Sequence, residues 1–278
     1  MKYGVHAGLW QAQWTDEIIP ILRTVADLGF DGVEVSLLGM NDEKAIALGK
    51  AVKDYGLEVT CSTGLAPEHD ITSVDADMRE AGVEYLKWAI ELTAKIGSSA
   101  LAGVVFAPWG KFDPNNKSSR AARSAAALGS LDGILKDNGV ILGIEALNRF
   151  ETDLVNTAKE AEAIASTSGS DRVGVLLDTF HLNMEEKDIR KSIAETSDKL
   201  VHFHVSENDR GVPGSGHIPW ENVKAGLNDA GYNGWIVAEM FVVAGNSASN
   251  DLNIWRNIEP DATRAAKQAL SFMKRTFE

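Results

Sequence analysis

The sequence has a single cysteine, Cys61, in 278 residues, so it contains no pair that could form an internal disulfide. It also has no run of about 18 apolar residues, which is the length that a membrane-spanning helix needs. Residues 1–6 lack the apolar core of a signal peptide. These absences predict a cytoplasmic protein that does not act at a membrane.

Positive charge is scarce as well. The chain has 27 Lys and Arg against 40 Asp and Glu, which gives a net charge of −13 at neutral pH. A protein that binds nucleic acid or another polyanion needs a basic face, so this charge argues against such a partner. A small neutral molecule remains as the expected partner.

Linkers rich in proline or serine are also absent, so we predict one domain over residues 1–278. Short apolar runs alternate with longer helical patterns, which is typical of repeated βα units around a parallel sheet. The strands are predicted at 2–8, 31–37, 57–63, 100–106, 140–146, 173–179, 200–206 and 234–240. Eight such units in an α/β chain of this length predict a (β/α)₈ TIM barrel. An open doubly wound sheet is the alternative, but no G-x-G-x-x-G follows an early strand.

Glycines delimit the helical segments between these strands. The first helix is predicted from about Asp16 to Leu28, with a late start because of Pro20, and it stops at Gly29. The others are predicted near 42–55, 75–96, 117–137, 157–167, 186–196, 220–230 and 261–275. Residues 242–258 are predicted to form a loop that is able to close over a site or simply to lie on the surface.

Several predicted strands alternate apolar and polar residues with a period of two. The second strand, for example, alternates Val33 and Val35 with Glu34 and Ser36. The outer face of a barrel strand packs on helices and has to be apolar, so the polar set is expected to point inward. The carboxyl end of such a barrel is where its enzymes place their active sites.

The last four predicted strands each end on an acid or a histidine. They deliver Glu145, Asp178, His204 and Glu239 to equivalent positions. Three carboxylates buried together would be unfavourable without a cation, and together with an imidazole they suit Mn²⁺, Co²⁺ or Mg²⁺. His202 lies on the same face but two residues deeper, so we interpret it as a supporting or structural residue outside the ligand set.

Six segments carry a resemblance to a known family. They are EALNRFE (145–151), LDTFHLN (177–183), HFHVSENDR (202–210), VPGSGHIPW (212–220), AEMF (238–241) and NIWR (253–256). Through them the sequence resembles the ketose 3-epimerases of free sugars, which include those of D-tagatose, D-allulose (psicose) and L-ribulose. These enzymes belong to the xylose-isomerase-like barrel superfamily, and the resemblance extends over nearly the whole chain.

The resemblance implies one divalent metal, Mn²⁺ first with Co²⁺ or Mg²⁺ as alternatives, bound by the four strand-end residues. It also implies a ketose as substrate and a homodimer or homotetramer. The substrate contacts that it implies are Glu151, His181, Arg210, His6, Trp14 and Trp109. The match is weaker at His6 and in residues 105–109, so the identity of the ketose stays open.

The chemistry of a 3-epimerase requires a proton to leave C3 of the sugar and to return on the other face. Glu145 and Glu239 come from different strands and are expected to flank the sugar, one protonated and one ionised. In the alternative interpretation they serve only as metal ligands, and a water molecule transfers the proton.

Three other functions compete with this hypothesis. An aldose–ketose isomerase on the same barrel would place its base for transfer between C1 and C2, often beside a second metal. A nuclease of the abasic-site type would need more than six histidines and a basic groove. A protein that binds sugar or metal without catalysis would not need the pair of acids.

Overall fold

The computed structural model describes residues 1–278 and contains eight parallel strands that close into a barrel in sequence order. The strands are β1 (Lys2–His6), β2 (Gly32–Ser36), β3 (Glu58–Leu65), β4 (Ala100–Pro108), β5 (Ile141–Glu145), β6 (Val173–Asp178), β7 (Leu200–Val205) and β8 (Trp235–Ala238). Closure is completed where β8 pairs with β1. The predicted TIM barrel is confirmed, and all strand ends lie within two residues of the predicted ones.

Helices follow the strands and cover the outside of the barrel. They are α1 (Ile19–Leu28), α2 (Asp42–Asp54), α3 (Ala76–Ile96), α4 (Lys117–Gly129), α5 (Asp132–Asn138), α6 (Ala158–Thr167), α7 (Thr179–Glu185), α8 (Ile189–Thr196), α9 (Trp220–Asp229), α10 (Ser247–Asp251) and α11 (Ala262–Phe277). None of them combines the length and the apolar composition needed to cross a bilayer. The late start predicted for α1 is confirmed, because Pro20 lies in its first turn.

The single helix predicted over 117–137 is wrong, because the structure has two helices there, α4 and α5. α4 ends at Gly129, where an added Cβ would lie 2.3 Å from the carbonyl oxygen of Ser168. The chain turns at this close approach, and Asp132 then begins α5. The helical periodicity of the sequence does not show where another segment approaches closely, so the break between α4 and α5 was not predicted.

The helix predicted over 186–196 is also incomplete, because α7 begins directly after β6 and a separate helix, α8, follows it. The Oδ1 atom of Asp178 caps α7 by accepting the N–H of Phe180 at 2.8 Å. Asp188 caps α8 in the same way, through the N–H of Lys191. Thr179, the first residue of α7, falls within the predicted strand 173–179.

The loop predicted over 242–258 contains the short helix α10. The N–H of Ala248 donates to the carbonyl of Ala12 at 3.1 Å, which ties this segment to the loop after β1. The segment therefore lies beside the mouth of the barrel, and its proposed role as a lid stays a prediction.

The barrel interior holds the polar residues of the strands. Glu34 on β2 and His202 and His204 on β7 are almost fully buried. The apolar partners in these strands, such as Val33 and Val35, belong to the main hydrophobic core. This division follows the period of two, because alternate side chains of a strand point to opposite faces.

Candidate active site

Four side chains meet at the carboxyl end of the barrel, each delivered by one of the last four strands. Glu145 ends β5, Asp178 ends β6, His204 is the last residue but one of β7, and Glu239 directly follows β8. One ligand atom from each lies within 4.8 Å of the others. The structure therefore brings together the four residues that the sequence predicted as metal ligands.

Asp178 has two contacts that fix its orientation. Its Oδ1 caps α7, and its Oδ2 accepts a hydrogen bond from Nη1 of Arg210 at 2.6 Å. The capping contact uses one oxygen and turns the other toward the cluster. A structural role as a cap and a role in the cluster are thus compatible in this residue.

The acids of the cluster differ in their affinity for a proton. Burial raises the pKa of Glu145 well above its ordinary value, and the charges of Glu239 and Asp178 add to this effect. Burial also raises the pKa of Asp178 to about 6, against the opposing influence of Arg210. Burial acts on Glu239 too, but His204 and Arg210 outweigh it and lower the pKa of that carboxyl. Glu145 consequently favours its protonated form and Glu239 its ionised form.

Arg210 lies among these acids. Its Nη1 donates to Asp178 at 2.6 Å and to Glu239 at 2.8 Å, and its guanidinium carbon lies 4.1 Å from the ring centroid of Phe180. Its backbone has a φ of 66°, which is uncommon for a residue with a side chain. The N–H of Phe241 donates to its carbonyl and helps to hold this conformation. Arg210 therefore contacts two of the predicted ligands and also faces the cavity.

Two further predicted contact residues, His181 and Glu151, lie beside Arg210. Nδ1 of His181 accepts the N–H of Asn148 at 3.1 Å, and burial together with Arg210 lowers the pKa of His181 to about 3, so the ring is neutral. Glu151 accepts hydrogen bonds from the Asn148 side chain at 2.7 Å and from Nε1 of Trp109 at 3.1 Å. Asn148 thus links His181 and Glu151, and the sequence analysis did not single it out.

A cavity of about 310 Å³ opens above the cluster. Every predicted site residue lines it except Asp178, whose side chain is fully buried. The sequence analysis assigned no role to several other lining residues, among them Ser62, Leu65, Leu147, Phe241, Asp251 and Leu252. Phe241 was detectable in principle, because it follows Glu239 by two residues directly after the predicted strand 234–240.

An aromatic group covers one side of the cavity. The rings of His6, Trp14 and Phe241 lie with centroids 5.8 to 6.4 Å apart. Nε1 of Trp14 donates to Asp251 of α10 at 2.9 Å. Trp10, which also follows β1, does not line the cavity: its Nε1 donates to Thr263 of α11 and its ring packs against the core. Aromatic faces suit the C–H groups of a sugar, and Trp14 and Phe241 offer them here.

His202 is separate from the four-residue cluster, as its deeper position in β7 predicted. Its Nε2 lies 2.6 Å from Oε2 of Glu34 inside the barrel. Glu34 also approaches His204, with 2.7 Å between Oε1 and Nε2. The sequence analysis gave Glu34 no function.

The four-residue cluster suits a divalent cation. Three carboxylates and one imidazole form an oxygen-rich donor set of the kind that Mn²⁺ and Mg²⁺ use. Nδ1 of His204 is buried without a hydrogen-bond partner, and it lies 3.5 Å from the carboxylate of Glu239 and 4.0 Å from that of Glu145. A cation between these atoms would satisfy that nitrogen and offset the charge that raises the pKa of Glu145.

Comparison with protein families and solved structures gives matches over nearly the whole chain. The model of the xylose isomerase-like TIM barrel family matches residues 22–276. A D-psicose 3-epimerase of Agrobacterium fabrum is 32% identical, covering 99% of this chain and 98% of that protein. An L-ribulose 3-epimerase of Mesorhizobium japonicum is 34% identical, covering 98% of this chain and 93% of that protein.

Solved structures agree with these sequence matches. A crystal structure of a D-psicose 3-epimerase in the presence of D-fructose superposes with a TM-score of 0.95 at 31% identity, covering 100% of this chain and 99% of that one. A D-psicose 3-epimerase with D-tagatose from Clostridium cellulolyticum H10 gives a TM-score of 0.94 at 30% identity over 100% of both chains. The barrel and its helices are therefore shared with these proteins.

Proposed function

The chain belongs to the ketose 3-epimerases of the xylose isomerase-like TIM barrel family, and from that premise we propose that it inverts C3 of a free ketose with the help of one divalent cation. The observation that carries the proposal is the pair Glu145 and Glu239. These carboxylates come from different strands and line the same cavity, and in the metal-free protein they have opposite preferences for a proton. Such a pair supplies an acid and a base at neutral pH.

In the proton transfer that we propose, Glu239 acts first as the base and Glu145 as the acid. The ionised Glu239 removes the proton from C3, which leaves a cis-enediolate across C2 and C3. The protonated Glu145 then delivers a proton to the opposite face of C3. After one turnover Glu239 holds a proton and Glu145 does not, and exchange with solvent restores the first state. If the two acids served only as ligands, a water molecule would have to take over both transfers.

The cation would be held by Glu145, Asp178, His204 and Glu239, and when bound it would stabilise the negative charge that develops on O2 of the sugar. The support for this proposal is the convergence of the four side chains within 4.8 Å. The metal that we propose is Mn²⁺, with Co²⁺ or Mg²⁺ as alternatives.

Arg210, His181 and Glu151 are proposed to hold the polar groups of the sugar near O1 and O2. Nε2 of His181 lies 3.1 Å from Nη2 of Arg210 and 3.7 Å from Oε1 of Glu145, so the ring stands between the arginine and the cluster. The pKa of Glu151 is lowered, because the charge of Arg210 and the hydrogen bonds from Trp109 and Asn148 outweigh the effect of its burial, so Glu151 is an acceptor for a sugar hydroxyl. Trp14, Trp109 and His6 are proposed as the walls against which the sugar lies.

Further predictions accompany this proposal: one domain over residues 1–278, a homodimer or homotetramer, and a cytoplasmic location. The charge of −13 supports the prediction that nucleic acid is not a partner. Light scattering on the purified protein measures the oligomeric state.

A panel of free ketoses tests the proposed function. The purified protein is stripped with a chelator, reloaded with Mn²⁺, Co²⁺ or Mg²⁺, and given D-fructose, D-psicose, D-tagatose or L-ribulose. We expect chromatography to show the C3 epimer of at least one sugar, with activity lost on chelation and restored by a metal. Full turnover in a sample shown to be metal-free by elemental analysis contradicts the metal-dependent mechanism, and an aldose as main product favours the isomerase.

A further inference from the structure

Glu34 carries a carboxylate inside the barrel that the proposed reaction does not use. The residue is on β2 and has no exposed surface. Its Oε2 accepts a hydrogen bond from Oγ1 of Thr60 at 2.7 Å and lies 2.6 Å from Nε2 of His202. Its Oε1 lies 2.7 Å from Nε2 of His204. A carboxylate buried this deeply is unfavourable unless polar or charged neighbours compensate for the loss of water.

The contact with His204 spans the barrel. β2 and β7 are not neighbours in the sheet, so Glu34 reaches His204 through the interior rather than along a pair of strands. Thr60 on β3 and His202 on β7 approach the same carboxylate from two further directions. Glu34 is therefore contacted by three groups on two other strands.

The two nitrogens of His204 face different surroundings. Nδ1 is turned toward the carboxylates of Glu145 and Glu239, whereas Nε2 is turned toward Glu34. An imidazole can bind a cation only through a nitrogen that carries no proton, so a neutral ring that binds through Nδ1 must keep its proton on Nε2. The carboxylate of Glu34, 2.7 Å from Nε2, favours this tautomer because its negative charge attracts a proton on that nitrogen.

We propose that Glu34 is a positioning residue that holds His204 in the tautomer and the ring orientation that present Nδ1 to the cation. The inference rests on the proposed function, because it assumes that His204 is a metal ligand. Glu34 itself touches neither the metal nor the sugar. Thr60 and His202 contact Oε2 of Glu34, whereas His204 lies against Oε1.

The variant Glu34→Gln tests the proposal with little change of shape. An amide keeps one acceptor oxygen and puts a donating NH₂ in place of the other, while donors from Thr60, His202 and His204 all face this group. At least one of them then meets another donor. We expect Mn²⁺ binding to the metal-free protein, measured by competition with a fluorescent chelator, to weaken by about 10- to 100-fold.

Thr60→Val is the matched control. It removes the hydroxyl that contacts Oε2 of Glu34 at nearly constant volume, but it leaves the contact between Glu34 and His204. We expect its Mn²⁺ affinity to stay close to that of the wild type. If Glu34→Gln lowers the melting temperature of the metal-free protein but binds Mn²⁺ like the wild type, Glu34 is only structural and the proposal is overturned.

A measurement on the wild type does not depend on whether a variant folds. In Mg²⁺-loaded protein labelled with ¹⁵N-histidine, the ring of His204 should show a proton on Nε2 and none on Nδ1. The reverse tautomer would overturn the proposal. The count of bound metal gives a further check, because ligand atoms of Glu34, His202 and His204 also lie within 4.8 Å of one another. If the wild type binds two metal equivalents and Glu34→Gln binds one, Glu34 is a metal ligand and the proposal is overturned.

The same samples separate this inference from the proposed function. A wild-type protein that neither binds a divalent cation nor epimerises a ketose would remove the premise. A wild-type protein that does both, beside a Glu34→Gln variant that binds Mn²⁺ unchanged, would remove only the role of Glu34.

Discussion

The two halves of the barrel mouth differ in what they present to the cavity. The half formed by β5 to β8 carries the cluster of three acids and a histidine, whose ligand atoms lie within 4.8 Å of one another, and the arginine that follows β7 and pairs with two of the acids. The half formed by β1 to β4 presents uncharged groups to the cavity, among them His6, Ser62 and Val104. Proton transfer needs fixed charges around one atom, whereas recognition of a sugar chain needs shape and a few hydrogen bonds. From this difference we expect the half formed by β5 to β8 to carry the proton transfer, and the half formed by β1 to β4 to influence which ketose is accepted.

We call the half formed by β5 to β8 the charged half and the half formed by β1 to β4 the uncharged half. The largest effect is expected when an acid of the charged half is neutralised. Glu145→Gln or Glu239→Gln should reduce net epimerisation by about 10²- to 10⁴-fold, because each residue serves one face of C3. Either variant could still exchange the C3 proton of one epimer with solvent through the remaining acid. Chromatography and NMR measure the two activities, and elemental analysis follows the metal.

The control for these variants is Glu58→Gln. Glu58 begins β3 at the other end of the barrel, where it pairs with Lys2 and is exposed. Its replacement should leave the rate unchanged. A Glu145→Gln or Glu239→Gln protein with normal metal content and a nearly normal rate would refute the two-base mechanism.

Arg210→Ala should have the next largest effect. It removes charged hydrogen bonds from the sugar and from the cluster, and we expect kcat/KM to fall by about 10- to 100-fold. One metal equivalent should remain bound, because the four ligands stay in place. Loss of the metal from this variant would show that Arg210 supports the ligands more than the substrate.

The charged half should also make metal binding depend on pH. Burial raises the pKa of Glu145 and of Asp178, the latter to about 6. The pKa of His204 is also raised, because Glu34 and Glu239 outweigh its burial. Protons therefore compete with the cation for three ligands as the pH falls.

The sign of the effect follows from these shifts. In the metal-free protein the three groups bind protons more tightly folded than unfolded, so their contribution to stability is lost as the pH rises through their folded pKa values. The rise in Tm that Mn²⁺ produces should therefore shrink as the pH is lowered from about 8 to about 5. A rise in Tm that is independent of pH would contradict protonation of the ligands.

The smallest effect is expected in the uncharged half. Nδ1 of His6 accepts the N–H of Gly8, so Nε2 carries the proton and donates to Oγ of Ser62 at 3.1 Å. The Ser62 hydroxyl is then free to donate to a sugar oxygen in the cavity. Ser62→Ala should change the relative kcat/KM among the ketoses of the panel by about tenfold or less, with unchanged metal affinity. Loss of metal from this variant would contradict the claim that only the charged half holds the metal.

The residues of the charged half could be predicted because of where they occur in the chain. Each ends an apolar run, and the ends of parallel strands converge in a barrel, so the four positions follow from local pattern and fold. The contact between β2 and β7 could not be predicted in this way. Glu34 and His202 are 168 residues apart, and only closure of the barrel brings their side chains together.

The same limit applies to the wall of the cavity. Asp251 contacts Trp14 across 237 residues of sequence, and it belongs to a helix that the loop prediction missed. A five-residue helix in a segment with glycine and asparagine has no clear periodic signal. Local pattern thus predicts which residues reach the barrel mouth, but not how distant segments pack there.

Turnover in D₂O tests the central claim most directly, because it reports which carbon lies between Glu145 and Glu239. The metal-loaded protein is given a ketose that it converts, and the recovered sugars are analysed by NMR. We predict deuterium at C3 of the epimeric product, little direct transfer of the original hydrogen, and no label at C1. Deuterium at C1, or an aldose as the main product, would contradict the assignment as a 3-epimerase.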